Sequence, residues 1–295
     1  MTQRQVERMT DQPLDCDAVA ELARECSIEM NVQDVRELEA GRALLPAGKK
    51  MYVSHLPKQT WRQTLEACRA ASEAGFDPVP HIPVRLLEHE RMLDSILADA
   101  VHGAGVREVL LIAGDYSHPQ GPYATVADVL RTGKLGEHGF RRVSLAGHPE
   151  GHPKVSLVEI RRAEREKAQL ALSLGLQTTL LTQFFFEAPP FLDWATQLRC
   201  DVPGVRLVGG LSGPASVATL FRFAVRCGVG PSIRALGARP TSLVKLIGEH
   251  GPEDVLRDLA RARVERPGCF DGVHFFCFGG FLRTCEWLRA LTQSQ

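Results

Sequence analysis

The chain carries no net charge: among its 295 residues, 35 Lys plus Arg balance 35 Asp plus Glu. Without a global field of either sign, nucleic acid and anionic membrane surfaces are not expected partners. CxxC spacing is also missing, because the eight cysteines (Cys16, Cys26, Cys68, Cys200, Cys227, Cys269, Cys277 and Cys285) are scattered. That removes the zinc and haem-attachment patterns, and a chain of this size needs no disulfide framework. No apolar run approaches the about 18 residues that span a bilayer, so no membrane segment is expected. The opening MTQRQVERMT is polar throughout. It predicts a loose arm over residues 1–15, no signal peptide, and a cytoplasmic protein with reduced thiols. Finally, no GxGxxG follows the first strand candidate, which leaves a dinucleotide-binding open sheet without its usual mark.

What the sequence does contain is alternation. Eight apolar runs read as strands: Cys26–Met30, Lys50–Leu56, Pro78–Val84, Glu108–Asp115, Val143–Ala146, Thr178–Phe186, Val205–Leu211 and Val273–Gly280. Segments of helical spacing lie between them, at 17–25, 35–45, 60–74, 86–103, 125–132, 157–174, 190–200, 216–227 and 242–264, with a last one at 282–291. Continuous apolar runs such as EVLLIAGD suit parallel strands covered on both faces. Eight strand–helix units without a linker predict a single-domain α/β fold, a (β/α)₈ TIM barrel over residues 16–295. The doubly wound open sheet is the alternative. The stretch TQFFFEAPPFLDW could serve a contact between copies of the chain, a homo-oligomer, as well as a strand packed on its helix.

In a barrel the carboxyl ends of all eight strands meet around one mouth. Glu29, Ser54, His81, Asp115, His148, His152 and Gln183 would then share a cleft although far apart in sequence. The stretch VSLAGHPEGHP is the most distinctive of these ends, because two His-Pro pairs bias both histidines to extended or turn backbone. Gln183, the amide in an otherwise apolar strand, requires a hydrogen-bonding partner. Metal binding competes for His81, His148 and His152. The HxxxH spacing in a loop is not a ligand signature, and no metal is expected.

The segments LLIAGD, Pro122-Tyr123-Ala124, LAGHPEGHP and LTQFFF, in this order, resemble methylenetetrahydrofolate reductase. Pro80-His81 and the early strand SIEM with Glu29 add to the likeness, which covers about residues 25–285. The resemblance implies an FAD-dependent barrel that reduces 5,10-methylenetetrahydrofolate to 5-methyltetrahydrofolate in one-carbon metabolism and methionine biosynthesis. By that likeness Glu29 would protonate folate N10 to open the imidazolidine ring. Asp115 would sit near flavin and folate and favour the cationic intermediate, and Gln183 would hydrogen-bond the pterin. Ser54, His81, Ile112, Gly114, Asp115, Tyr123, Ala124, His148 and His152 would line the flavin site, with Lys167 approaching its phosphates. A general acid of this kind needs a carboxyl whose pKa is raised by enclosure.

The chain departs from the family pattern in four places. Ala113 stands where Arg commonly precedes Gly-Asp, and His148 stands in place of the usual Tyr. Glu29 sits in IEMNVQ rather than FEFFPP, and GGLSGPAS follows the seventh strand where a Phe is common. These departures leave the electron donor open between NADH and another reductant. Two further readings of the same barrel stay open, a flavin-free methyltetrahydrofolate-dependent methyltransferase and a non-catalytic folate- or flavin-binding protein.

Overall fold

A computed structural model describes residues 16–114, 116–229 and 252–293. Within them the chain forms a closed, all-parallel eight-stranded barrel in simple sequence order, β1 to β8. The strands are β1 (Ser27–Met30), β2 (Lys50–Val53), β3 (Asp77–Pro83), β4 (Glu108–Ile112), β5 (Arg142–Gly147), β6 (Gln177–Phe184), β7 (Arg206–Ser212) and β8 (Gly272–Phe276). Every strand expected from an apolar run is present, and the closed sheet sets aside the open doubly wound alternative. Helices run between the strands; Trp61–Glu73, Glu90–Ala104, Leu157–Ser173, Ala188–Asp201 and Val217–Cys227 matter below.

Differences from the expected boundaries have local causes. The segment 35–45 opens as a 3-10 helix, Val32–Glu37, because Asn31 accepts from the Gln33 N–H and Asp34 accepts from the Asn31 N–H. The helix expected from 86 begins at Glu90, where the His89 ring accepts the Met92 N–H and so caps it. β4 stops at Ile112 because the backbone turns at Gly114, whose φ of +85° suits a residue without Cβ. Of the helix expected over 242–264, the described part is Glu253–Glu265, and 242–251 lie outside the described residues, as does the arm 1–15.

Side chains alternate across each strand, so one set faces the helices and the other the barrel axis. Ile28, Met30, Met51, Val53, Ile82, Leu111, Leu145 and Phe275 join the helices in one continuous apolar layer. Phe185, Phe191 and Trp194 of the 182–194 stretch pack in that layer, with Phe185 stacked on Phe191 at 4.9 Å. Facing inward, Tyr52, Val79, Leu110 and Leu181 form a small separate core, bordered by Ile112 and Val208. β6 shifts register against β7 between Leu181 and Phe184. That shift turns Phe184 toward Phe276 and Phe278, at ring distances of 6.1 and 4.9 Å, while Phe185 faces the helices.

Below the inner core the axis is polar. The Glu108 carboxylate is 1% exposed and accepts from Lys50 at 2.6 Å and from Ser144 Oγ at 2.6 Å, with Arg142 Nε at 3.6 Å. Because the single Ser144 proton points to Glu108, the Tyr52 hydroxyl 2.8 Å away donates to Ser144 Oγ. Arg142 also reaches Asp77 at 3.2 Å, so side chains of β2, β3, β4 and β5 are joined across the interior. Removing one member of such a buried network leaves the others unpaired, at a cost of about 3 kcal/mol. Glu108→Ala is therefore expected to lower unfolding stability by about 3 kcal/mol in urea titration. A loss below about 1 kcal/mol, the worth of an ordinary exposed pair, would show that the network is not structural.

Candidate active site at the barrel mouth

Glu29 is the inward-facing residue near the end of β1, with its side chain 19% exposed. Two imidazoles face the same oxygen: His81 Nε2 of β3 lies 3.7 Å from Glu29 Oε2, and His274 Nε2 of β8 lies 4.0 Å from it. Both ring nitrogens are buried and neither has a hydrogen-bond partner among the described residues. Both rings pack edge-on to Tyr52, at 6.2 Å and 4.9 Å between centroids. Enclosure pushes the Glu29 carboxyl up to about 8, and the nearby Asp34 carboxylate adds to the shift. The same enclosure pushes His81 down to about 3 and His274 well below its ordinary value, with each further lowered by another histidine, His55 for His81 and His81 for His274. At neutral pH the mouth thus holds a protonated carboxyl between two neutral imidazoles. This is the charge state a general acid needs.

The other expected site residues fall into distinct places. Ser54 is buried beside the end of β1, where its N–H and its hydroxyl both donate to the Met30 carbonyl. Ile112 ends β4 on the inner face, half-buried. A Cβ at Gly114 would lie 3.0 Å from Pro83 and 3.1 Å from the Tyr116 ring, so the turn there is tight as well as left-handed. Asp115 lies outside the described residues. Tyr123 is buried in the layer between barrel and helices, and Ala124 is exposed with its N–H donating to Asp128. Gln183 is half-buried, and its side-chain carbonyl accepts the Phe184 N–H at the register shift of β6. It shares a shallow cleft with His148, Pro149, Gly151, Cys227 and Val229.

The VSLAGHPEGHP turn is fastened from beneath by one helix face. Arg161, Glu164 and Lys167 stand three residues apart on Leu157–Ser173 and so share a side of it. Arg161 donates to the carbonyls of His148 and Pro149 at 2.9 and 2.7 Å, and Lys167 donates to that of Ala146. The Glu164 carboxylate, 1% exposed, accepts the His148 N–H at 2.6 Å, Arg161 at 2.8 Å and Trp194 Nε1 at 2.9 Å. Burial alone would raise the Glu164 pKa. The hydrogen bonds from His148 and Trp194, with the Lys167 and Arg161 charges, outweigh it and leave the pKa below its usual value. Lys167 is brought down to about 8 by burial, partly opposed by Glu164. Above this clasp the His148 and His152 rings meet edge-on at 5.9 Å, and His152 Nδ1 accepts the Lys154 N–H.

Three residues of the mouth were not singled out from sequence. His274 lies within the apolar VHFFCFGG, and the signal that could have found it is the one used for Gln183, a polar side chain in an apolar strand. Arg85 follows β3; it donates to the carbonyls of Tyr116 and Ala124 at 2.8 and 2.9 Å and so straps the loop that follows β4. Glu164 reads as one charge among many in a charged helix. On the β6–β8 side, Phe184, Phe186, Phe223, Phe276 and Phe278 form an aromatic wall, with Phe223 stacked on Phe278 at 4.1 Å. Phe276 meets His274 edge-on at 4.7 Å. Among the described residues no cluster of His, Cys, Asp or Glu has the geometry of a metal site. No helix among them is long and apolar enough to cross a membrane.

A parallel eight-stranded barrel with a protonated carboxyl at its mouth is the class of molecule this geometry defines. No family model matches the sequence. Over 140 residues, 44% of this chain, it is 24% identical to methylenetetrahydrofolate reductase 2 of Saccharomyces cerevisiae, and the match spans 22% of the yeast protein's length. The fold is similar to that of an uncharacterised Clostridium thermocellum protein whose solved structure binds two copies of 5-methyl-5,6,7,8-tetrahydrofolic acid. The TM-score is 0.60 with 11% identity, covering 92% of this chain and 95% of that one. The second likeness is one of fold. Together with the motifs, the first makes the chain similar to methylenetetrahydrofolate reductase.

The carboxyl and the imidazoles leave opposite marks on stability. Glu29 is raised from 4.5 to about 8, so between those values the unfolded chain has released a proton that the folded chain keeps. Stability therefore falls as pH rises through that window. His81 is lowered from 6.5 to about 3, so between those values the unfolded chain binds a proton the folded chain refuses, and stability rises with pH. The two slopes oppose each other until the unfolded histidine has lost its proton, after which Glu29 acts alone. From pH 6.5 to 8 the wild-type protein is expected to lose about 1–2 kcal/mol relative to Glu29→Gln, measured as urea unfolding free energies of both proteins. Parallel curves would contradict the protonated state of Glu29.

Proposed function

We propose that this barrel reduces a methylene-bearing tetrahydrofolate to its 5-methyl form, with flavin as the hydride source and Glu29 as the general acid. The observation that carries the reading is the carboxyl at the end of β1, kept protonated by enclosure between two neutral imidazoles. The similarity to a methylenetetrahydrofolate reductase over 140 residues supports the substrate class. In this reading Glu29 gives its proton to N10 of the folate, the N10–methylene bond breaks, and the carbon left on N5 becomes an iminium cation. Gln183, beside the β5 turn, hydrogen-bonds the pterin and orients it. The role of Asp115 as counter-charge to the cation belongs to this proposal on sequence alone. Flavin, when bound, supplies the hydride that this carbon accepts.

The residues fit a flavin unevenly. At the mouth, the unpaired His81 Nε2, the inner side chain of Ile112 and the tight Gly114 turn offer a polar contact, an apolar surface and close backbone approach. His148 and His152 add two rings on the β5 side. These would hold the ring system. For the phosphates, Lys167 is already committed to the Ala146 carbonyl and to Glu164, and Ala113 brings no charge. Tyr123 is packed away among the core residues. That commitment of Lys167 favours a second reading, in which the barrel binds a methyltetrahydrofolate without flavin, as a methyltransferase or as a carrier without turnover.

Adding FAD to the purified protein separates the two. The first reading expects a bound yellow chromophore, bleached anaerobically by NADH, NADPH or a chemical reductant, and recoloured by the methylene folate. Glu29→Gln should keep flavin reduction and lose folate-dependent recolouring by about 100-fold or more, the usual weight of a general acid. Binding of 5-methyltetrahydrofolate with no flavin spectrum would replace the first reading by the second, and an unchanged recolouring rate would take Glu29 out of its role.

A further inference from the structure

His274 has a setting that its burial alone does not explain. It has no exposed surface, and its ring is held edge-on between Tyr52 at 4.9 Å and Phe276 at 4.7 Å. Nδ1 lies 3.0 Å from Ser27 Oγ, while Nε2 has no hydrogen-bond partner among the described residues and faces Glu29 Oε2 at 4.0 Å. An enclosed ring nitrogen without a partner is costly, so its direction carries information. The span to Glu29 is one that a small turn of the carboxyl closes.

The partner on the other nitrogen matters most. A carbonyl or carboxylate at Nδ1 would hold a proton there and fix the tautomer. A serine hydroxyl can either donate to a bare Nδ1 or accept from Nδ1–H, so Ser27 satisfies both tautomers without any heavy atom moving. Glu29 needs both. Protonated, it presents an O–H that requires an acceptor; ionised, it presents an oxygen that requires a donor.

We propose that Ser27 and His274 form a tautomer switch that serves both protonation states of Glu29. With Glu29 protonated, Nδ1–H donates to Ser27 and Nε2 accepts the carboxyl proton. With Glu29 ionised, Ser27 donates to Nδ1 and Nε2–H donates to the carboxylate. The imidazole carries one proton in each state, so the switch neither consumes nor releases any. The net transfer is the Glu29 proton alone, to a basic nitrogen of the substrate or, without substrate, to water. His274 is thus a positioning residue, which lets a buried acid give up its proton without stranding a bare carboxylate. The other groups that face Glu29 do not do this. His81 approaches from β3 with no comparable hydroxyl on its ring among the described residues, Asp34 is an acid of the same sign, and the Cys277 thiol is pushed well above its usual range by burial.

This inference deepens the acid role proposed above, and its test needs neither flavin nor folate, so it can fail separately from that reading. Nitrogen-15 NMR of the histidine-labelled full chain, followed from about pH 6 to about pH 10, reports the tautomer directly and brackets the Glu29 transition. The His274 signals are expected to pass from the Nδ1–H to the Nε2–H pattern at the midpoint of Glu29 ionisation, and the change should vanish in Glu29→Gln. A single tautomer throughout, or the same response in Glu29→Gln, would overturn the proposal. His274→Phe, which keeps an aromatic ring but no donor, should raise the Glu29 midpoint, read from its carboxyl infrared band, by about one to two pH units. An unmoved midpoint would also overturn it.

Discussion

A carboxylate in the lower interior, Glu108, ties four strands of this barrel together by ionic and hydrogen bonds, in addition to their backbone ladders and apolar packing. Lys50 of β2 and Ser144 and Arg142 of β5 converge on it, and Tyr52 is positioned through Ser144. Tyr52 in turn offers its ring to both His81 and His274. The mouth therefore stands on the ionic floor through one aromatic residue. Two glutamates inside the same barrel are placed in opposite company. Glu108 has cations within reach, whereas Glu29, at the mouth, has none among the described residues and answers enclosure by keeping its proton. This contrast of partners is how one interior holds both a structural ion pair and an acid.

The architecture was legible in the sequence because apolar runs of strand length recur between helical spacings, and each run is covered on both faces. Boundaries were less legible. They are set by caps and turns such as Asn31, His89 and Gly114, whose effect depends on a hydrogen bond or a backbone angle rather than on hydrophobicity. Within the site, Glu29, His81 and Gln183 could be found because each is a polar residue at or near the end of an apolar strand. Tyr123 and Lys167 were harder to place. Both are near the mouth in sequence, but one is amphipathic enough to pack in the core and the other is long enough to reach a carbonyl beneath the turn. His274 carries the same local mark, a polar side chain in an apolar strand, but that mark does not distinguish an imidazole that is merely packed from one turned toward Glu29 on the adjoining strand β1.

The β5 turn shows how a loop can be built as rigidly as a strand end. Its histidines ride on carbonyls and an N–H that are each taken up by Arg161, Glu164 or Lys167, and Trp194 closes the same carboxylate from the next helix. The fit is close. A Cβ at Gly147 would lie 2.8 Å from the Trp194 ring, and one at Gly228 would lie 2.2 Å from Pro153. The prolines restrict the backbone locally and the helix holds it from outside. Two rings are thereby held edge-on to each other beside the mouth.

The register shift in β6 bears on how this chain should be aligned with its relatives. Gln183 and the three phenylalanines after it form a run in which neighbours face different layers: Phe184 the aromatic wall, Phe185 the helices. The shift is seated against Gly210, where a Cβ would lie 2.4 Å from the Thr182 carbonyl oxygen. A pairwise alignment that slides this run by one position would still score well, since phenylalanine would meet phenylalanine. It would nevertheless exchange a residue of the mouth for one of the hydrophobic layer. Gap placement here should be anchored on Gly210 and its neighbour across the ladder rather than on the aromatic letters themselves.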